Sequence, residues 1–278
     1  MEVAKMKKKS FIKSKAFGVI ALLYGIFGLL VLAHHIISYN NILVPVMNEL
    51  IENKVITNDI NGPVFLCFFT NQSNIFVDVY LILYAIGLFG SKKLYAFTQN
   101  EKLRGAVTLY IAITGIIYCA VLMPFQTQTF ADFTEQSPAI WFSYYVNMWQ
   151  HMLTPAVFII FWFLPLNKKK LPVVKTSLYY LIYPMCYFIF SIFHGKLLTH
   201  GIVLEHPNGF YPYPFLNPQE LWGILFKAKE YEPVTGMIIF IAVFIALCAI
   251  FFGVGCGIVA IHNARCGKKA VEADKAAV

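Results

Sequence analysis

The sequence predicts an all-α polytopic membrane protein, a single domain over 1–278 with six transmembrane helices and both termini in the cytoplasm. Three observations lead there. The first is composition: 59% of the residues are hydrophobic and only 13% are charged, against about 45–50% and about 25% in soluble domains. That little charge does not cover a water-soluble globule of this size, which argues against a soluble enzyme or a nucleic-acid reader. The second is the presence of six apolar stretches, each near the roughly 20 residues a helix needs to cross a bilayer. They lie at about 16–38, 64–89, 106–125, 140–166, 176–195 and 234–261. The third is the placement of charge: none of the 22 Lys and Arg residues falls inside those stretches.

The basic residues also alternate in side. Six precede the first span, from Lys5 to Lys15; Lys92, Lys93, Lys102 and Arg104 follow the second; Lys168, Lys169, Lys170 and Lys175 follow the fourth; Arg265, Lys268, Lys269 and Lys275 follow the sixth. Only Lys54, Lys196, Lys227 and Lys229 lie on the other side. The positive-inside rule then places both termini in the cytoplasm and requires an even number of crossings. The net charge of +8 reports this orientation and contact with membrane lipids, so it requires no nucleic-acid partner. A multi-pass protein of the plasma membrane is the expected location.

Each span has its own signature. Span one follows the Lys-rich start; it is longer than a secretory h-region and lacks a small-x-small cleavage site, so it reads as a retained helix. Span two carries Thr70, Asn74 and Asp78 at intervals of four, with Asn71 beside them, so one helix face is polar. Thr70 is expected one to two turns below the outer end of that helix. Span four places Asn147, Gln150, His151 and Thr154 at i, i+3, i+4 and i+7, again on one face. Pro155 lacks the N–H that would bond four residues back, so the carbonyl of His151 is expected to be free at a kink. Span five offers Tyr183, Pro184, Tyr187, Ser191 and His194 at roughly helical spacing. Span six is continuous. The outer connections, about 39–63, 126–139 and 196–233, are the long ones, and the inner ones are short and basic. None of the six Cys residues lies in an outer loop, so no disulfide framework is indicated.

Polar side chains at membrane depth are costly and turn toward the bundle interior or a wet cavity. Three chemistries compete for them. Asn and Thr serve as interhelical hydrogen-bond glue in many bundles. Six of the seven His residues (34, 35, 151, 194, 200 and 206) lie in the outer half or outer loops, which suits a metal or haem, but no HExxH or CxxC spacing accompanies them; no metal or cofactor is expected. A hydroxyl and a His also make a nucleophile and base. Spacing alone does not choose among these.

Three segments together resemble a known family: Phe69-Thr70 opening the polar face of span two, His151-Met-Leu-Thr154-Pro155 in span four, and Tyr211-Pro212-Tyr213-Pro214-Phe215-Leu216 in the last outer loop. They look like the androgen-induced and androgen-dependent six-span membrane threonine hydrolases of animals, and more like their six-span bacterial relatives, from about residue 60 to about 255. The resemblance implies six spans, cytoplasmic termini and hydrolysis of lipid esters such as fatty-acyl esters of hydroxy fatty acids. It matches Thr70 to the nucleophile, His151 to the base and His194 to a His near the end of span five. Asn71, Asn74, Asp78, Asn147 and His194 then form a supporting polar shell, with the Asn71 or Asn74 amide or the backbone near Pro155 facing the oxyanion. Tyr211, Tyr213 and Phe215 form a loop cap over the opening or, alternatively, an interfacial aromatic belt. The first outer loop and the stretch from His194 to the Tyr-Pro-Phe motif are longer than in the animal proteins. The alternatives are a non-catalytic sensor or assembly protein that uses the polar faces as glue, and a transporter that uses Asp78 and the His residues for ions or protons.

Overall fold

A computed structural model of the chain describes residues 14–52, 67–122, 145–164, 169–199, 211–226 and 232–275. All regular structure among them is helical. The helices are α1 (Lys15–Glu52), α2 (Phe69–Phe89), α3 (Lys92–Thr98), α4 (Glu101–Ile117), α5 (Thr154–Phe163), α6 (Val173–Thr199), α7 (Pro218–Phe226) and α8 (Pro233–Lys275). A π turn, Tyr118–Leu122, extends α4, and another, Trp149–Leu153, leads into α5. Five segments are long and apolar enough to cross a membrane: Lys15–His35, Phe69–Phe89, Glu101–Ala120, Val173–Phe193 and Pro233–Cys266. The predicted fourth span is described only over 145–164, and the predicted outer connection 126–139 lies outside the described residues.

Local chemistry sets several helix ends. Gly90, at φ 146°, closes α2 in a conformation that costs a glycine little. Ser91 caps α3 by accepting from the Leu94 N–H, and Asn100 caps α4 by accepting from Lys102 and Leu103. Asn217 does the same for Gln219 at the start of α7. Two boundaries depart from expectation. The stretch expected to open the first outer loop at residue 39 continues α1 to Glu52. Leu43, Val46, Met47 and Leu50 repeat at helical intervals there, although polar neighbours lower the local hydropathy. The second connection contains α3, and α4 starts at Glu101.

The buried residues form two clusters on either side of α4. Val107 and Ile111 meet Val77, Tyr80, Leu81 and Tyr84 of α2 and Phe158 and Phe161 of α5. Ala106, Leu109, Tyr110 and Ile113 meet Phe69, Tyr180 and Tyr187, and Val259 of α8. Outward faces of α1, α6 and α8 stay apolar and exposed, Leu23, Leu30, Phe193, Val234 and Ile245 among them, as a lipid-facing surface requires.

The α1–α2 contact is close because α1 has glycines there. A Cβ on Gly25 would lie 2.6 Å from the Asp78 carbonyl oxygen, and one on Gly28 would fall within the Asp78 carboxyl. Gly253 of α8, by contrast, has open space around it. Gly28→Ala is therefore expected to lower stability by about 1–3 kcal/mol through overpacking. Gly253→Ala is expected to cost nothing or to add a few tenths of a kcal/mol from helix propensity. Melting of both variants in one detergent checks the pair, and equal melting temperatures would contradict it.

At the end of the bundle carrying α3, charge is buried. Arg104, 2% exposed, lies in α4 and not in a loop, so charge does enter a helix long and apolar enough to cross a membrane. Its Nη2 donates to Glu101 Oε2 at 2.5 Å and its Nη1 to the Leu164 carbonyl at 3.2 Å. Arg265 of α8 donates to the carbonyls of Trp162 and Phe163 and lies over both their rings. The last carbonyls of α5 have no intrahelical donors, and two arginines from other helices supply them. His262 Nε2 donates to the Lys169 carbonyl at 2.9 Å, and Asn263 pairs with both backbone groups of Leu171 at 2.8 and 2.7 Å.

Candidate active site

Thr70 and His151 line one cavity. α2, α4, α6 and α8, the turn before α5, and the segment Tyr213–Leu216 form its walls. Apart from the two residues, Thr114 and the tyrosine hydroxyls, those walls are apolar: Ile113, Ile117, Leu181, Met185, Phe188, Phe244, Leu247 and Phe251.

Thr70 is the second residue of α2, in its first turn rather than one to two turns inside the helix. Phe68 is extended and its side chain caps nothing, so the leading N–H groups need partners from elsewhere. Two tyrosines distant in sequence provide them. The Phe69 N–H donates to Tyr187 Oη at 3.1 Å, and that hydroxyl donates onward to the Cys67 carbonyl at 2.7 Å. The Thr70 N–H donates to Tyr213 Oη at 3.3 Å, and the same oxygen lies 3.2 Å from Thr70 Oγ1. The Thr70 hydroxyl thus hydrogen-bonds a loop phenol and not the imidazole.

His151 is held from the other side. Its Nδ1 donates to the Asn147 carbonyl at 2.9 Å, so in the neutral ring Nε2 is the proton-accepting nitrogen. The ring stacks on Tyr118 at 4.3 Å between centroids, and the Asn147 amide donates to the Tyr118 hydroxyl at 3.3 Å.

At Pro155 the backbone leaves α register. The Thr154 N–H reaches the Trp149 carbonyl, five residues back, which is π geometry. In that register the N–H that Pro155 lacks would have met the Gln150 carbonyl. Asn74 Nδ2 supplies the missing bond to the Gln150 carbonyl at 3.1 Å and also donates to the Thr70 carbonyl at 2.8 Å. Both amide protons of Asn74 are committed to this brace, so it does not face an oxyanion. The register change also splits the polar face predicted for the fourth span. Asn147 and His151 meet Tyr118, whereas Thr154 accepts from Tyr24 of α1 at 3.3 Å and the Gln150 carbonyl faces α2.

The rest of the predicted shell disperses. Asn71 is buried but does not line the cavity. Asp78 is 1% exposed and packs against Gly25 and Gly28 of α1, with Oδ1 unbonded, away from the cavity. His194 lies in α6, and its side chain is outside what the structure describes. Of the loop cap, Tyr213 and Phe215 line the cavity and stack at 5.2 Å. Tyr211 packs on the neighbouring cluster without reaching it. Residues given no special role earlier also take part: Ser73 Oγ donates to the Thr70 carbonyl at 2.9 Å and lies 2.7 Å from Thr114 Oγ1. Tyr118 carries no sequence signal beyond being aromatic in an aromatic-rich chain, and Tyr187 is marked only by its helical spacing in span five. Among the described residues, no group of three or more His, Cys, Asp or Glu is placed to hold a metal ion.

Compared with protein-family models, with curated proteins and with solved structures, the chain matches none.

Proposed function

We propose that the chain is an integral-membrane hydrolase of lipid esters with Thr70 as nucleophile and His151 as base. It would cross the plasma membrane six times, with both termini cytoplasmic and the site in the outer leaflet half. The observation that carries the reading is the shared cavity: a helix-terminal threonine hydroxyl and an oriented imidazole open on one apolar chamber. An acyl chain suits such walls, and the ester carbonyl suits the polar end.

In this mechanism Thr70 Oγ1 attacks the ester carbonyl carbon while its proton passes to His151 Nε2. The tetrahedral species collapses, the alcohol oxygen leaves with that proton, and an acyl-threonine remains. Water then attacks the acyl carbon and gives a proton to the same nitrogen. The carbon–Oγ1 bond breaks, Thr70 recovers the proton and the fatty acid departs. The Asn147 carbonyl holds the ring in the required tautomer throughout.

Purified protein is expected to react with a lipid-like fluorophosphonate, the adduct mapping by mass spectrometry to Thr70, and Thr70→Ala is expected to abolish the adduct. Folded wild-type protein that neither forms an adduct nor cleaves a panel of fatty-acyl esters would overturn the reading.

A further inference from the structure

We infer that Tyr213 is a further catalytic residue, its phenol O–H donating, beside the Thr70 backbone N–H, to the carbonyl oxygen of the bound ester as that oxygen becomes negative. The inference rests on the ester-hydrolase reading of the cavity.

The geometry is specific to this tyrosine. Its Oη touches both polar atoms a substrate carbonyl must meet, the nucleophile Oγ1 at 3.2 Å and the Thr70 N–H at 3.3 Å. A carbonyl brought to Thr70 therefore arrives where the phenol already sits, and a small shift of the hydroxyl leaves Thr70 N–H and Tyr213 O–H as two donors converging on one oxygen. Other polar groups near Thr70 are occupied. Asn74 bonds two backbone carbonyls, Ser73 bonds the Thr70 carbonyl and Thr114, and Tyr187 bonds the Cys67 carbonyl.

The phenol is also held in advance, which is what gives such donors their effect. Its ring stacks on Phe215 at an interplanar angle of 7° and meets Phe68 edge-on at 5.9 Å between centroids. The Leu216 N–H donates to the Tyr213 carbonyl at 2.9 Å, and Asn217 ties the segment to α7. Burial pushes the Tyr213 phenol above its usual range, so it keeps its proton and acts as donor rather than base. During attack the carbonyl π electrons move onto oxygen, the Thr70 proton goes to His151, and the Tyr213 proton stays in place. No atom is exchanged with the phenol.

The test is Tyr213→Phe in the full chain, which keeps the stacked ring and removes one oxygen. Hydrolysis of a fatty-acyl ester is expected to fall about 100- to 1000-fold in kcat, the usual effect of losing one such donor, with KM within a few-fold of wild type. Two non-hydrolysed ligands separate catalysis from packing. A fatty trifluoromethyl ketone, to which Thr70 adds to form an oxyanion, is expected to lose affinity in the same proportion. The corresponding ether, which forms none, is expected to bind as before. Dissociation constants refer to folded sites, so the comparison survives a loss of yield. A kcat within a few-fold of wild type overturns the inference and leaves the hydrolase reading standing. Equal loss of ketone and ether affinity overturns it too, assigning Tyr213 to cavity shape. An inert wild-type protein fails the hydrolase reading itself.

Discussion

Thr70→Ala, His151→Ala and the double variant are expected to lose nearly the same activity, each at least about 1000-fold in kcat/KM. The reason is that the two residues act in one step. A threonine hydroxyl without a base is a weak nucleophile, and an imidazole without the hydroxyl has no proton to take. The combined loss therefore falls far short of the product of the single losses, as it does wherever a nucleophile and its base work as a unit. If each contributed separately, as two wall residues of a binding chamber do, the losses would multiply. The single variants should keep their fold, because the polar groups they remove lie on the cavity and the Asn74 brace remains. Steady-state kinetics on the four proteins, alongside melting curves, decide the matter; multiplicative losses would separate the pair.

The second large effect concerns stability. Arg104→Ala leaves Glu101 buried without its 2.5 Å partner and the Leu164 carbonyl without a donor. Removing one member of such a pair costs about 3–5 kcal/mol, because an uncompensated charge remains in the interior. Glu101→Ala is expected to cost a similar amount, since it strands the guanidinium. Replacing both by Met is expected to cost less than either single change, because no charge then remains to be desolvated. Thermal unfolding in detergent, followed by tryptophan fluorescence, reads all three. Single variants within about 0.5 kcal/mol of wild type would show that solvent reaches the pair.

Some of this was legible in the sequence. Runs of apolar residues marked the helices, because crossing a bilayer imposes length and composition together. Thr70, His151, Tyr213 and Phe215 were each singled out, and one cavity collects them. The depth of Thr70 was misjudged for a physical reason: the start of α2 is capped by Tyr187 and Tyr213, more than a hundred residues away, and no local signal encodes that. Arg104 and Arg265 were read as markers of orientation because the rule for basic residues assumes that they lie outside the spans. It does not reveal that each also turns inward to serve the end of a neighbouring helix. Pro155 announced an irregular turn correctly, but a missing N–H does not tell that the chain responds with a π register. That register leaves the Gln150 carbonyl for Asn74 and turns Asn74 from chemistry to bracing.

The π turn at Trp149–Leu153 has a consequence for how this site tolerates insertions and deletions. Such a turn contains one residue more than an α turn, so it amounts to a single-residue insertion absorbed within a helix. Removing one residue between Trp149 and Leu153 would let the helix close into ordinary α register, and everything before the cut would rotate by about 100° relative to α5. Every polar residue type would still be present, yet the imidazole would point along a different radius of the bundle. At this position the aim of the site depends on chain length as much as on side-chain identity. A one-residue gap here should matter more than many substitutions elsewhere in the bundle.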